Sequence, residues 1–129
     1  VVNVLNARPG AGNLTVEAVI ELSGVGYGTG DSIALQDGSS YRLVKLFQSA
    51  AKKYNDPTTT RGRNPHYGRE MSVGFGDRRA LTLSISWSGS DHLAHTQSDQ
   101  AQIIDPQKLQ RVGRTTLLTL MVLARESSY

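Results

Sequence analysis

Cysteine is absent from the 129 residues. Its absence excludes disulfides, thiolate zinc sites and cysteine nucleophiles together, and leaves no redox clue to compartment. Long apolar runs are also missing. The longest, LLTLMVLA from Leu117 to Ala124, falls far short of the ~18 residues of a membrane-spanning helix. The amino-terminal VVNVLNARPG lacks the basic start and apolar run of a secretory signal, which sets the expectation of a soluble, cytosolic product. No close acidic pair stands out as an acid–base couple, and no serine lies in a G-x-S-x-G elbow.

The length fits one compact domain spanning residues 1–129. At 38% hydrophobic residues a core is possible but small, which leaves room for a partner chain to complete it. Charged residues, at 19%, are too few for a disordered chain. Fourteen basic residues against eleven acidic ones give a net charge of +3, and the basic ones cluster between Arg42 and Arg79 and between Lys108 and Arg125. Clustered positive charge favours polyanions; the plainer reading is a solvated surface. The stretch KKYNDPTTTRGRNPHYGRE, Lys52 to Glu70, holds five basic residues and two acids, with no apolar periodicity. It reads as an extended, basic connection that does not pack.

LTVEAVIEL, Leu14 to Leu22, alternates as a half-buried strand, and RPGAGN before it is turn chemistry with VNVL as its partner. This predicts an amino-terminal hairpin over Val2 to Leu22. SIAL predicts a short strand ended by the Asp37-Gly38 turn. YRLVKLFQSAAKKY, Tyr41 to Tyr54, places Leu43, Leu46, Phe47, Ala50, Ala51 and Tyr54 at helical spacing with Ser39 or Ser40 as a cap, yet YRLVKLF has the residue types of a strand. Glu70 to Trp87 predicts a second hairpin turning at GDRR, with Leu81, Leu83, Ile85 and Trp87 on its apolar face. Asp105 as N-cap and Pro106 at the first helical position predict a helix whose stripe is Leu109, Val112, Thr116, Leu117, Leu120, Met121 and Ala124. Gly113 weakens its centre, and further apolar residues widen the stripe beyond what one sheet face would cover.

Few motifs carry chemistry. GVGYGTG, Gly24 to Gly30, has the composition of a phosphate loop, but DSIALQDG after it is no helix start, and a flexible connection between strands is the better reading. His92 and His95 in DHLAH stand three apart near Asp91 and Asp99, with His66 the remaining histidine. A metal site needs a third ligand and its supporting shell, so exposed histidines are the plainer reading. No catalytic residue, metal or cofactor is expected. The hydroxyl face of the second hairpin is the stronger candidate. Thr82, Ser84 and Ser86 line it, Arg78 and Arg79 sit at its turn, and Arg42 and Lys45 lie in the neighbouring segment. These are donors that phosphates and sugars accept from, so the seven form a candidate RNA-binding face; Tyr41, Tyr54 and Tyr67 could stack unpaired bases.

The order of hairpin, strands and carboxy-terminal helix, with SSYRLVKLFQS, HYGREMSVGF and RRALTLSISW, resembles the coat proteins of single-stranded RNA bacteriophages. The likeness runs from Ser39 to Trp87. The longer connection after Phe47, the short GDRR turn and the delayed helix depart from that family's pattern. GNLTVEAVIELSG and ALQDG also resemble the amino-terminal domain of enolases, but the remainder does not continue that pattern.

The coat-protein resemblance implies an α+β fold: an antiparallel sheet, made of the amino-terminal hairpin and central strands, with carboxy-terminal helices on one face. It implies an intertwined homodimer that assembles into an icosahedral shell in the virion, binds single-stranded RNA on the open sheet face and acts as a translational repressor, without catalysis, membrane or small-molecule substrate. It requires Tyr41 to Phe47 to be a strand. The alternatives are a small α+β nucleic-acid-binding or regulatory dimer, and an enzyme using His92 and His95.

Overall fold

Parallel strands cannot be joined by a tight turn, and this constraint organises the chain. The computed structural model describes residues 17–37, 39–61, 80–90 and 100–125. Among them a four-stranded sheet has the order β1-β4-β2-β3, with β1 at Ala18–Leu22, β2 at Ile33–Gln36, β3 at Thr58–Arg61 and β4 at Leu81–Trp87. β1 runs parallel to β4 and β2 parallel to β3, while β2 and β4 are antiparallel. Among the described residues two helices accompany the sheet in an α+β fold, α1 at Tyr41–Lys53 and α2 at Pro106–Arg125, with a short 3₁₀ turn at Ala101–Ile103 before α2. The sheet is therefore mixed, not the antiparallel sheet of the coat-protein reading. The first strand holds as Ala18–Leu22, but its described partner is β4, alongside and parallel. The proposed hairpin partners of β1 and β4 lie outside the described residues.

The periodicity of Tyr41–Tyr54 wins over its residue types. Parallel β2 and β3 need a crossover, and α1 supplies it. Leu43, Phe47, Ala50 and Ala51 turn inward at helical spacing. The strand that the resemblance requires over Tyr41–Phe47 is thus a helix. Ser40 occupies the N-cap position and its carbonyl accepts from the Val44 N–H at 3.0 Å, but its hydroxyl does not bond its own helix. Its hydroxyl instead accepts from the Thr82 N–H at 2.9 Å, and the Ser39 hydroxyl accepts from the Ser84 N–H at 3.2 Å, so two side chains extend the ladder where β2 has ended. The helix ends with Asn55 in the left-handed region (φ 56). The Asn55 N–H donates to the Lys52 carbonyl and the Asp56 N–H to the Ala51 carbonyl, closing a Schellman turn.

β4 is the central strand, and its alternation builds the core. Leu83, Ile85 and Trp87 are buried with Ile33 and Leu35 of β2, Leu43 and Phe47 of α1, and Val112 and Leu123 of α2. Each such side chain contributes roughly 1.5–3 kcal/mol. Thr82, Ser84 and Ser86 point to the other face, with Ala34 and Gln36 beside them in register. That face is not the open hydroxyl surface the alternation suggests: Ser84 is 7% and Ser86 4% exposed. Among the described residues, Gln36 Nε2 and Ser86 Oγ find no hydrogen-bond partner there, although Arg61 Nε donates to Gln36 Oε1 at 3.0 Å.

α2 begins as the sequence predicts. Asp105 caps it, accepting from the Gln107 N–H at 2.9 Å, and Pro106 opens it. Its orientation differs. Val112, Thr115, Thr116, Thr119 and Leu123 face inward, whereas Leu109, Leu117, Leu120 and Met121 are 41–58% exposed. The helix is turned about a quarter revolution from its richest apolar stripe. No described helix is long and apolar enough to cross a membrane.

Two glycines behave oppositely on substitution. A Cβ at Gly28 would run into Trp87 and the Ser88 carbonyl, and one at Gly113 would meet open space. Gly28→Ala is expected to lose about 1–3 kcal/mol by overpacking. Gly113→Ala is expected to gain about 0.5–1 kcal/mol, as in any exposed helix interior. Urea unfolding of both variants checks the opposite signs.

Candidate functional site

Because β1 and β4 are parallel, their carboxyl ends emerge together, at Leu22 and Trp87. Ligand sites of open parallel sheets lie beyond such ends. Here the two following loops lock onto each other. The Trp87 N–H donates to the Gly24 carbonyl at 3.1 Å, the Gly30 N–H to the Ser88 carbonyl at 3.0 Å, and the Ser88 N–H to the Ser32 carbonyl at 3.0 Å. The Ser32 hydroxyl and Ser88 Oγ lie 3.3 Å apart. The glycines of Gly24–Gly30 form a cradle. The Trp87 indole N–H donates to the Gly30 carbonyl at 2.8 Å, and Gly28 leaves no room for a side chain against the ring. The segment is neither a phosphate loop nor a loose connection.

The cradled ring carries a layer of cations from α2. The Arg111 guanidinium lies 4.8 Å from the Trp87 ring centroid and Lys108 Nζ 5.5 Å from it. Arg114 stacks on Tyr54 at 4.8 Å. Beneath them is Asp56, whose side chain is 3% exposed. Its carboxylate accepts from Arg111 Nε at 3.0 Å, from Arg114 at 3.0 Å and from the Thr115 hydroxyl at 3.3 Å. Arg111 also reaches the exposed Asp31 at 3.3 Å. Burial alone would raise the Asp56 pKa, but the hydrogen bonds and charges of Arg114 and Arg111 outweigh it and hold the value below the usual carboxylate range. Such a carboxylate is a clamp, not a proton acceptor near neutral pH. Burial would lower the Arg111 pKa; Asp56 and Asp31 reverse this and raise it.

Asp56 and its neighbours overturn the expectation for the basic connection. The first ten residues of KKYNDPTTTRGRNPHYGRE pack as a helix end, a buried ion pair and strand β3; residues 62–70 lie outside the described ones. Asn55-Asp56-Pro57, following Lys52-Lys53-Tyr54, was the available signal, since Asn in the left-handed region and a following Pro mark helix ends.

The candidate RNA-binding residues do not gather. Arg42 and Lys45 lie on the exposed side of α1, Lys45 over the Tyr41 ring at 5.4 Å. α1 packs on the Leu83 and Ile85 face of the sheet, so Thr82, Ser84 and Ser86 point to the opposite side. Arg78 and Arg79 lie outside the described residues, as do His66, His92, His95, Asp91 and Asp99. Among the described residues no three His, Asp or Glu side chains come together as a metal-binding group.

No family model and no curated relative matches the sequence. Solved structures do match. LapA aminopeptidase of Legionella pneumophila superposes with a TM-score of 0.79 over 97% of this chain and 34% of its own, at 14% identity. A second LapA structure gives 0.76 over 97% and 35%, at 15% identity. LapB of the same organism gives 0.76 over 88% and 32%, at 18% identity. The chain thus spans about a third of the length of these neighbours. The matched folds are those of peptidases, not shell proteins, which overturns the reading as a capsid subunit of a virion and the accompanying expectation of a chain outside enzyme chemistry.

Removing the Asp56 charge should leave two guanidiniums without their shared partner. Asp56→Asn is expected to cost about 3 kcal/mol in denaturant unfolding. Because the folded-state pKa is lowered, the Asp56 contribution is complete above the ordinary carboxylate value of about 4 and is lost as pH falls through the lowered one. Stability of the parent should therefore fall more steeply than that of the variant below about pH 4, as followed by circular dichroism. What the likeness establishes is a shared fold across 97% of this chain with 34% of the LapA aminopeptidase chain.

Proposed function

We propose that the chain forms part of a peptidase-type catalytic domain, with the carboxyl ends of β1 and β4 facing the substrate. The observation that carries this reading is the superposition on LapA aminopeptidase over 97% of the chain. The placement of the rim agrees with the general rule that substrates bind beyond the carboxyl ends of parallel strands. In this reading the described residues are scaffold. The Gly24–Gly30 cradle fixes Trp87, and the Asp56 clamp fixes α2, so that the chain departing at Ser90 starts from a rigid base. Rigid support of that kind is what positions reacting groups. The imidazoles and carboxylates of Asp91 to Asp99 follow at once in sequence and are the candidate reacting groups for hydrolysis of a peptide bond.

Trp87 is the only tryptophan of the chain and stands at this rim, so its fluorescence reports ligand binding directly. Two measurements test the reading: hydrolysis of a panel of aminoacyl 4-nitroanilides, and titration of Trp87 fluorescence with leucinamide. The expected result is saturable quenching together with turnover that falls at least ~100-fold in His92→Ala or His95→Ala with folding intact. A protein that neither turns over nor responds to the amide, or one whose turnover survives both substitutions, would sink it.

A further inference from the structure

Gly113 sits in the middle of α2 for no reason internal to the described chain. Its φ is not positive, and a Cβ there would meet nothing within 4 Å among the described residues. The destabilisation it brings to the helix is therefore not offset by a turn or a close approach within the described residues. Its surroundings are equally unusual. Leu109 and Leu117 stand one turn to either side on the same face, exposed by 41% and 58%, with Leu120 and Met121 next to them at 47% and 48%. From Leu109 to Met121 this face runs about 18 Å. It carries no charge, because Arg111 and Arg114 are turned toward Asp56.

We propose that this face pairs with the same face of a second copy of the chain, the two α2 helices lying antiparallel about a two-fold axis level with Thr115. Leu117 of each copy then fills the groove over Gly113 of the other. A projection and a hole four residues apart on one face are self-complementary under a two-fold operation, which is the condition for an isologous pair. The charges agree with this arrangement. Antiparallel alignment brings the Asp105 turn of one helix level with the Arg125 turn of the other at both ends, and opposes the two helix dipoles. One helix face falls short of the ~800 Å² per partner of a standard interface, so the association is reversible and responds to dilution.

Sedimentation velocity on the whole chain across a dilution series tests the proposal, with Leu117→Arg and Gly113→Leu alongside. Among the described residues a Cβ at position 113 meets nothing within 4 Å, and Leu117 is 58% exposed, so circular dichroism should report unchanged folding. The expected result is a monomer–dimer equilibrium in the parent, weakened at least roughly tenfold by each substitution, the first by placing a charge near the axis and the second by filling the hole. Three results would overturn it: a monomer throughout the series, a dimer indifferent to both changes, or a dimer lost with Leu117→Arg but retained with Gly113→Leu.

Discussion

One buried carboxylate orders the far end of this fold. Asp56 would be strongly destabilising if left alone, because an unpaired charge out of water is among the costliest features a small domain can hold. Its position is set by the Schellman turn at the end of α1, which carries the chain through Asn55 and drives the next side chain inward. Arg111, Arg114 and Thr115 must then come from α2 to meet it. That demand fixes the rotation of α2 and places its cations over Trp87 and Tyr54. It also anchors the start of β3, since Pro57, the residue after Asp56, accepts the Ile33 N–H at 3.0 Å. Turn, helix and edge strand thus share a single electrostatic cause.

The same end of the molecule carries the functional argument. Trp87 closes the core from below and supports two cations above, and a side chain at Gly28 would run into its ring. A rim stiffened by backbone bonds between two loops and by a stacked indole differs from an ordinary mobile loop. Such stiffness costs nothing at the moment a substrate binds, which is why binding and reacting groups are commonly set on it. The likeness to LapA aminopeptidase is one of fold, and within that fold the parallel strand ends of β1 and β4 come together at a single rim.

Much of the fold was legible in the sequence, and the failures have physical causes. SIAL, LTLSISW, the Asp105–Pro106 helix start and the helical spacing of Tyr41–Tyr54 each follow from local periodicity or capping, which the chain carries within itself. The sense of strand pairing does not. An alternating run such as Leu81–Trp87 reads the same whether its neighbours are parallel or antiparallel, so nothing in it announced its described neighbours, β1 alongside and β2 opposed. The hydroxyls at Thr82, Ser84 and Ser86 suggested an open face for a similar reason: small polar side chains tolerate burial, and composition alone cannot tell a wet face from a covered one. The five described members of the candidate RNA-binding set are not brought together, since Arg42 and Lys45 belong to a helix on the other side of the sheet from Thr82, Ser84 and Ser86. The resemblance to coat proteins leaned on residue types where helical spacing said otherwise, and the need for a crossover between β2 and β3 decides that conflict in favour of spacing.

The orientation of α2 shows how two forces of similar size were resolved. Turning the helix to bury Leu109, Leu117, Leu120 and Met121 would gain about 1 kcal/mol for each half-exposed side chain, or about 4 kcal/mol together. Against this stand the ion pairs of Asp56, worth about 3–5 kcal/mol once the charge is committed to the interior, and the burial of Val112 and Leu123, which the rotation would surrender. The charge wins because the Schellman turn has already placed Asp56 inside; the helix has no freedom to ignore it. An apolar face left outward by such a contest is not a packing error. It is surface that the isolated chain cannot cover without losing more than it gains, and that a second helix can cover without disturbing the clamp.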